Sequence, residues 1–139
     1  MSNFPLGKSK SEWKEILTDE QYRIGVLEGT ERAFTPGNFD AEKRDGGYYC
    51  VGCNTKLWSS EHKFDSGTGW PSFWQPVDAS VVGTKRDFKL IYPRTEVHCA
   101  VCGLHQGHVF NDGPPPTGQR WCINGGVLDF RPTTEDSDA

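Results

Sequence analysis

No window of this 139-residue chain approaches an apolar run long enough to span a membrane, and its opening, MSNFPLGKSKSEW, lacks the apolar core of a secretory leader. A membrane-spanning or exported protein is not expected. A basic surplus is lacking too: 15 lysines and arginines face 19 acidic residues, the formal net charge is -4, and the cations are scattered rather than clustered. That leaves no footprint for nucleic acid or an anionic membrane. Bulk for a second core is also missing. At 139 residues and 35% hydrophobic, the chain suits one domain over 1–139, with flexible termini at 1–10 and 132–139 and a modest core that a metal or disulfide staple would help. The expected compartment is the cytoplasm, where paired cysteines bind metal more often than they form disulfides.

Helix signals come first and strand signals fill the rest. SEWKEIL reads as one short helix from Ser11; a second begins at Thr18, whose TDEQ forms a capping box with Gln21, and stops at Gly29. Beyond Gly46, the runs YYCV, FKLIY, EVHC, HVF and RWCIN are separated by Gly, Pro and Asn/Asp turn residues. FTPGNFDAEKRDGG is a long surface loop, and TTEDSDA reads as a disordered tail.

A weak internal repeat organises the chain more than any strand boundary. YYCVGCN and EVHCAVCG each carry C-x-x-C, and Asn54 and Gly103, which follow, tolerate the left-handed turn of a metal knuckle. Two such knuckles complete a tetrahedron of thiolates, so Cys50, Cys53, Cys99 and Cys102 are the expected ligands of one zinc ion. A closed four-thiolate shell leaves no position for water or substrate, which makes the zinc structural. Two disulfides are the alternative.

Cys122, in RWCING, is then alone. In an extended strand Arg120, Cys122 and Asn124 share one face, while Trp121 and Ile123 face the core. HVF and RWCIN flank NDGPPPTG, and as a hairpin they bring His108 within a residue or two of Cys122; His105 can reach the same patch. Such a cationic, hydrogen-bonding setting lowers a thiol pKa and raises the nucleophilic thiolate fraction. The blander readings are a partly buried structural cysteine, and H-x-x-H as metal ligands or satisfied polar residues.

KFDSGTGWPSFW adds a glycine-rich turn that presents Trp70, a residue type most often found in a core. SGTGWPSF, the paired C-x-x-C motifs, GLHQGHVF, DGPPPTG and RWCIN, in this order from about Trp13 to Arg131, resemble methionine-R-sulfoxide reductase of the B type. The resemblance implies a mainly β fold of two small antiparallel sheets, short N-terminal helices and a zinc knuckle remote from the active site. It implies Cys122 as nucleophile, His105 and His108 as binders and protonators of the sulfoxide oxygen, and Asn124 as holder of the hydrogen-bond network. Arg120 becomes a supporting neighbour, and Trp70 with Phe110 packs against the methyl of the oxidised methionine. The implied partners are oxidised proteins or peptides and thioredoxin or another thiol reductant.

One departure is informative. Many members of that family place a resolving cysteine in the turn that here reads SGTGW, where this chain has Thr68, and the other four cysteines are assigned to zinc. An external thiol is therefore expected to reduce the sulfenic acid formed at Cys122. The early loop ERAFTPGNFD departs as well. A zinc-stapled β module that only binds a partner, or a redox sensor without turnover, are the rival functions; the first has no need of Cys122 and the second none of a methyl pocket at Trp70.

Overall fold

The computed structural model describes residues 4–88 and 93–133. Two helices lead, α1 (Lys10–Ile16) and α2 (Asp19–Gly25). Ser9 with Glu12, and Thr18 with Gln21, close a capping box on each, so two backbone donors that no earlier turn can satisfy are bonded. α2 stops short of Gly29, the expected terminator. The left-handed residue is instead Glu28 (φ 60), and the Gly29 N–H turns back to the Arg23 carbonyl at 2.9 Å. Trp13, Leu17 and Ile24 carry the helices into the core.

The strands among the described residues are β1 (Gly46–Cys50), β2 (Lys56–Ser59), β3 (Lys63–Phe64), β4 (Ser72–Phe73), β5 (Val82–Asp87), β6 (Arg94–Cys99), β7 (His105–Phe110), β8 (Arg120–Ile123) and β9 (Leu128–Pro132). They form a three-stranded sheet in the order β2-β1-β9 and a six-stranded sheet in the order β3-β4-β8-β7-β6-β5. Every pairing is antiparallel. The fold is thus the mainly β, two-sheet architecture expected. YYC, EVHC, HVF and RWCI fall on β1, β6, β7 and β8. Of FKLIY, only Phe88 is described and 89–92 lie outside; the tail TTEDSDA lies outside beyond Thr133. In the N-terminal stretch, the Leu6 N–H donates to the Val101 carbonyl at 2.8 Å, and the Phe4 ring meets His98 edge-on at 5.4 Å.

Period-two burial decides what each strand shows to the site. On β8, Trp121 and Ile123 are buried while Arg120 and Cys122 are partly exposed, so the strand divides core from cleft. The core side is aromatic: Trp58 stacks on Phe73 at 5.0 Å, and Tyr48 and Trp121 approach these rings at 5.2 and 5.8 Å. Each fully buried ring stabilises the fold by roughly 2–3 kcal/mol of transfer free energy, which fixes the register of β4 and β8.

β7 and β8 approach closely at Gly107. A Cβ there would lie 2.1 Å from the Cys122 carbonyl oxygen, closer than any relaxed backbone permits. We expect Gly107→Ala to destabilise the protein by about 2–4 kcal/mol in urea denaturation. Gly37→Ala, with φ 80 but nothing within 4 Å of the new methyl, should cost only the left-handed penalty of about 1 kcal/mol.

Candidate active site

The two C-x-x-C motifs meet. The Sγ atoms of Cys50, Cys53, Cys99 and Cys102 all lie within 4.8 Å of one another, with Cys50 to Cys102 and Cys53 to Cys99 each at 3.6 Å. A disulfide would need about 2.05 Å, whereas the edge of a tetrahedron with metal–sulfur bonds of about 2.3 Å is about 3.8 Å. The cluster therefore fits a metal ion and not two disulfides. Both knuckles have the expected turn: Asn54 (φ 62) and Gly103 (φ 87) are left-handed, and their N–H groups bond the carbonyls of Cys50 and Cys99. Donors also point at sulfur, since Gly52 N–H and Gln106 Nε2 reach Cys50 Sγ at 3.4 and 3.8 Å, which favours a charged thiolate ligand. Crowding by Cys102, Cys53 and Cys99, together with burial, otherwise pushes the Cys50 thiol up.

Cys122 stands apart, on the cleft face of β8. It lines a cleft of about 300 Å³ with Thr68, Trp70, His108 and Phe110, and with Arg120 and Asn124, which share its face of the strand. His108 is its direct cross-strand partner, which settles the register that residue pattern alone leaves open. Directly opposed residues of an antiparallel pair have their Cβ atoms about 4.5–5.5 Å apart. His108 Nε2 is 2.9 Å from Asp87 Oδ2, and Asp87 is also bridged to Arg94 at 3.3 Å. Burial lowers the His108 pKa more than the Asp87 bond raises it, so the ring is neutral at pH 7.

His105 behaves differently from expectation. It does not line this cleft; its Nδ1 is bound to Glu96 Oε2 at 2.7 Å, and its ring meets His108 edge-on at 5.4 Å. Burial acts to raise the Glu96 carboxyl, but the bonds to His105 and then His98 outweigh it and hold the group at about 2. Arg120 is also committed elsewhere: Nε and Nη2 grip Asp112 at 2.9 and 3.2 Å, with the guanidinium 4.4 Å from the Phe110 ring centroid. Arginine and phenylalanine thus form one stacked unit at the cleft wall.

Glu31 is a residue that no motif announced. Its N–H donates to Asn124 Oδ1 at 3.0 Å, its carbonyl accepts from Trp70 Nε1 at 3.1 Å, and its carboxylate accepts from the Gly125 and Gly126 N–H groups at 2.8 and 2.9 Å. Asn124 is thereby fixed, with Nδ2 donating to the Gln106 carbonyl at 3.1 Å. One residue ties the aromatic wall to the polar wall. Burial raises the Glu31 pKa against the opposing bonds from Gly126 and Gly125. Asp87, Glu96 and Asp112 were missed as well, because each acts through pairing that only the folded sheet creates.

The thiol corrects a further expectation. Burial raises the Cys122 pKa above the ordinary value, and the charge of Arg120 and hydrogen bonds from Thr68 and Arg120 pull against it without cancelling it. In the free site Cys122 is a thiol at neutral pH, not the thiolate that a cationic neighbourhood alone would give.

A partly exposed thiol facing a histidine–carboxylate pair across a sheet, with the remaining cysteines gathered elsewhere, is the arrangement of a thiol-dependent oxidoreductase. Residues 17–132 match the SelR domain, and the chain belongs to that family, the B-type methionine sulfoxide reductases. It is 51% identical over 127 residues to the peptide methionine sulfoxide reductase MsrB of Pseudomonas putida (strain W619), covering 91% of this chain and 95% of the relative. The MsrB of Pseudomonas syringae pv. syringae (strain B728a) is 52% identical over 127 residues, covering 91% and 96%. The chloroplastic peptide methionine sulfoxide reductase B1 of Arabidopsis thaliana is 55% identical over 121 residues, which are 86% of this chain and 59% of that one. No helix among the described residues is long and apolar enough to cross a membrane.

Because its pKa is raised, the Cys122 thiolate fraction should climb about tenfold per pH unit through neutral and mildly alkaline pH. Iodoacetamide labelling of the Cys122 peptide, followed by mass spectrometry without substrate, should rise accordingly. Arg120→Gln should shift that profile further alkaline, since the opposing charge is gone; a shift toward acid would contradict the assigned role of Arg120.

Proposed function

We propose that the protein reduces methionine-R-sulfoxide in proteins to methionine, with Cys122 as nucleophile and an external thiol as reductant. The observation that carries the reading is the pairing of Cys122 with His108 on the floor of a cleft walled by Trp70. The indole of Trp70 and the ring of Phe110 hold the terminal methyl, a small apolar group, while the sulfoxide oxygen takes the polar side. That division places one epimer of a chiral sulfur better than the other.

The chemistry follows from the groups present. Sulfoxide sulfur is a weak electrophile, so its oxygen must gain a proton as the thiolate attacks. His108, neutral before the reaction, takes the Cys122 proton, and the Asp87 carboxylate on its Nε2 stabilises the imidazolium that forms. His108 then delivers that proton to the oxygen. His105, fixed by Glu96, acts from behind by buttressing the His108 ring. The Cys122 sulfur gains oxygen and is oxidised by two electrons; the methionine sulfur loses oxygen and is reduced by two. The product on the enzyme is a sulfenic acid. Asn124 keeps the network in register, and Arg120 with Phe110 closes one wall.

Thr68 decides how the sulfenic acid is cleared. Its hydroxyl lines the cleft with Cys122 and helps to lower the thiol pKa, at the place where a resolving cysteine would be needed. A first external thiol condenses with the sulfenic acid, releasing water and leaving a mixed disulfide that a second thiol reduces. Thioredoxin or a small dithiol fits this role, and a cytoplasmic setting keeps it reduced. The metal of the four-thiol cluster is a structural Zn²⁺: the donor set is all sulfur and closed, so the ion cross-links the fold.

Cys122→Ser should abolish reduction of methionine-R-sulfoxide while metal analysis still finds about one zinc per chain. Retained turnover would place the nucleophile elsewhere. A single turnover of the wild type without reductant should leave a trappable sulfenic acid on Cys122, whereas Thr68→Cys should give a 68–122 disulfide by peptide mass spectrometry. Loss of zinc with a disulfide from Cys122 to a ligand cysteine in the wild type would reject the single-cysteine scheme.

A further inference from the structure

The cleft accounts for one oxidised side chain but not for the polypeptide on either side of it. Beside the cleft stands Phe34, in the loop that departs from the family pattern, 67% exposed and with φ 61. A left-handed backbone costs a bulky residue about 1–2 kcal/mol, and an exposed phenyl recovers little of that by packing. The conformation is nevertheless held. Phe34 N–H donates to the Gly69 carbonyl at 2.8 Å, and buried Asn38 donates Nδ2 to the same oxygen at 2.9 Å. The ring lies against the Gly69 backbone, where a Cβ would come within 2.7 Å of it. Gly69 itself sits between Thr68 and Trp70, so the phenyl extends the aromatic wall of the cleft outward. Past it, residues 34–42 border an open groove of about 500 Å³.

A lone exposed phenylalanine is ordinary; one in a strained conformation, in a loop that Phe34 N–H and Asn38 Nδ2 both tie to the turn carrying Trp70, is not. We propose that Phe34 is a specificity residue that receives an apolar side chain next to the oxidised methionine in an extended polypeptide. Among peptide-borne sulfoxides, the preferred substrate is then one with apolar neighbours. This rests on the reductase reading above. The turn selects the occupant, because Gly69, against which the ring lies, joins Thr68 and Trp70 of the cleft, and a chain whose sulfoxide sits by Trp70 has the ring as its neighbour. Asp40 and Glu42 on the border of the groove disfavour acidic flanks.

The test compares two substrates: N-acetyl-methionine-R-sulfoxide amide, and a pentapeptide with leucine on both sides of the sulfoxide. Phe34→Ala should raise KM for the pentapeptide roughly tenfold, in line with the loss of one buried ring contact, with kcat and the kcat/KM for the capped residue little changed. Phe34→Leu should restore most of the peptide preference. Equal losses on both substrates would show that the ring merely supports Trp70, and no loss on either would show that it contacts nothing; both overturn the proposal. A wild-type protein that reduces neither substrate would instead overturn the reductase reading, and this inference with it.

Discussion

The gathering of four thiols between the two sheets is the constraint on which the rest depends. Cys50 ends β1 in the smaller sheet and Cys99 ends β6 in the larger one, so whatever binds the cluster locks the sheets together at that corner. Three of the four cysteines are fully buried and belong to the same core as Trp58, Phe73 and Trp121. From β6 the order passes to β7 and then to β8 by direct pairing. The cluster and Cys122 are therefore joined through one sheet and separated by it, with the four thiols on the core side and Cys122 on the cleft side.

What could be read from residues alone was whatever depends on spacing or alternation. The C-x-x-C pairs needed only a knuckle, which Asn54 and Gly103 supply, and the opposite orientations of Cys122 and Trp121 needed only a strand. The Thr18–Gln21 box was legible because capping is local. Glu31 was not legible, since Asn124 and Gly125, which it ties to Trp70, lie 93 and 94 residues away and nothing in its neighbours hints at them. The aim of His105 likewise depends on Glu96, placed by the pairing of β6 with β7. The end of α2 failed for a more local reason: Glu28, rather than the glycine after it, takes the left-handed position.

Electrostatics were the hardest to foresee. Counting charged neighbours favours a thiolate at Cys122, but the count ignores that Arg120 is already bound to Asp112 and that the sulfur is largely withdrawn from water. Desolvation then wins over a partly neutralised cation. The same balance governs His108, whose carboxylate partner does not offset burial. Both groups rest in their uncharged forms, so Cys122 and His108 do not form an ion pair at the floor of the cleft.

Glu31 bonds the indole on one side and the Asn124 amide on the other through a single peptide unit on each, with no flexible side chain between the two walls. The distance between those walls is then a property of covalent backbone geometry, as rigid as the spacing of a caliper. Drawing the two walls apart would have to displace the loop bearing Glu31 and break its hold on the turn at Gly125. The separation of the Trp70 indole from the Asn124 amide is thus set by main chain, and is decoupled from the His108–Asp87 pair.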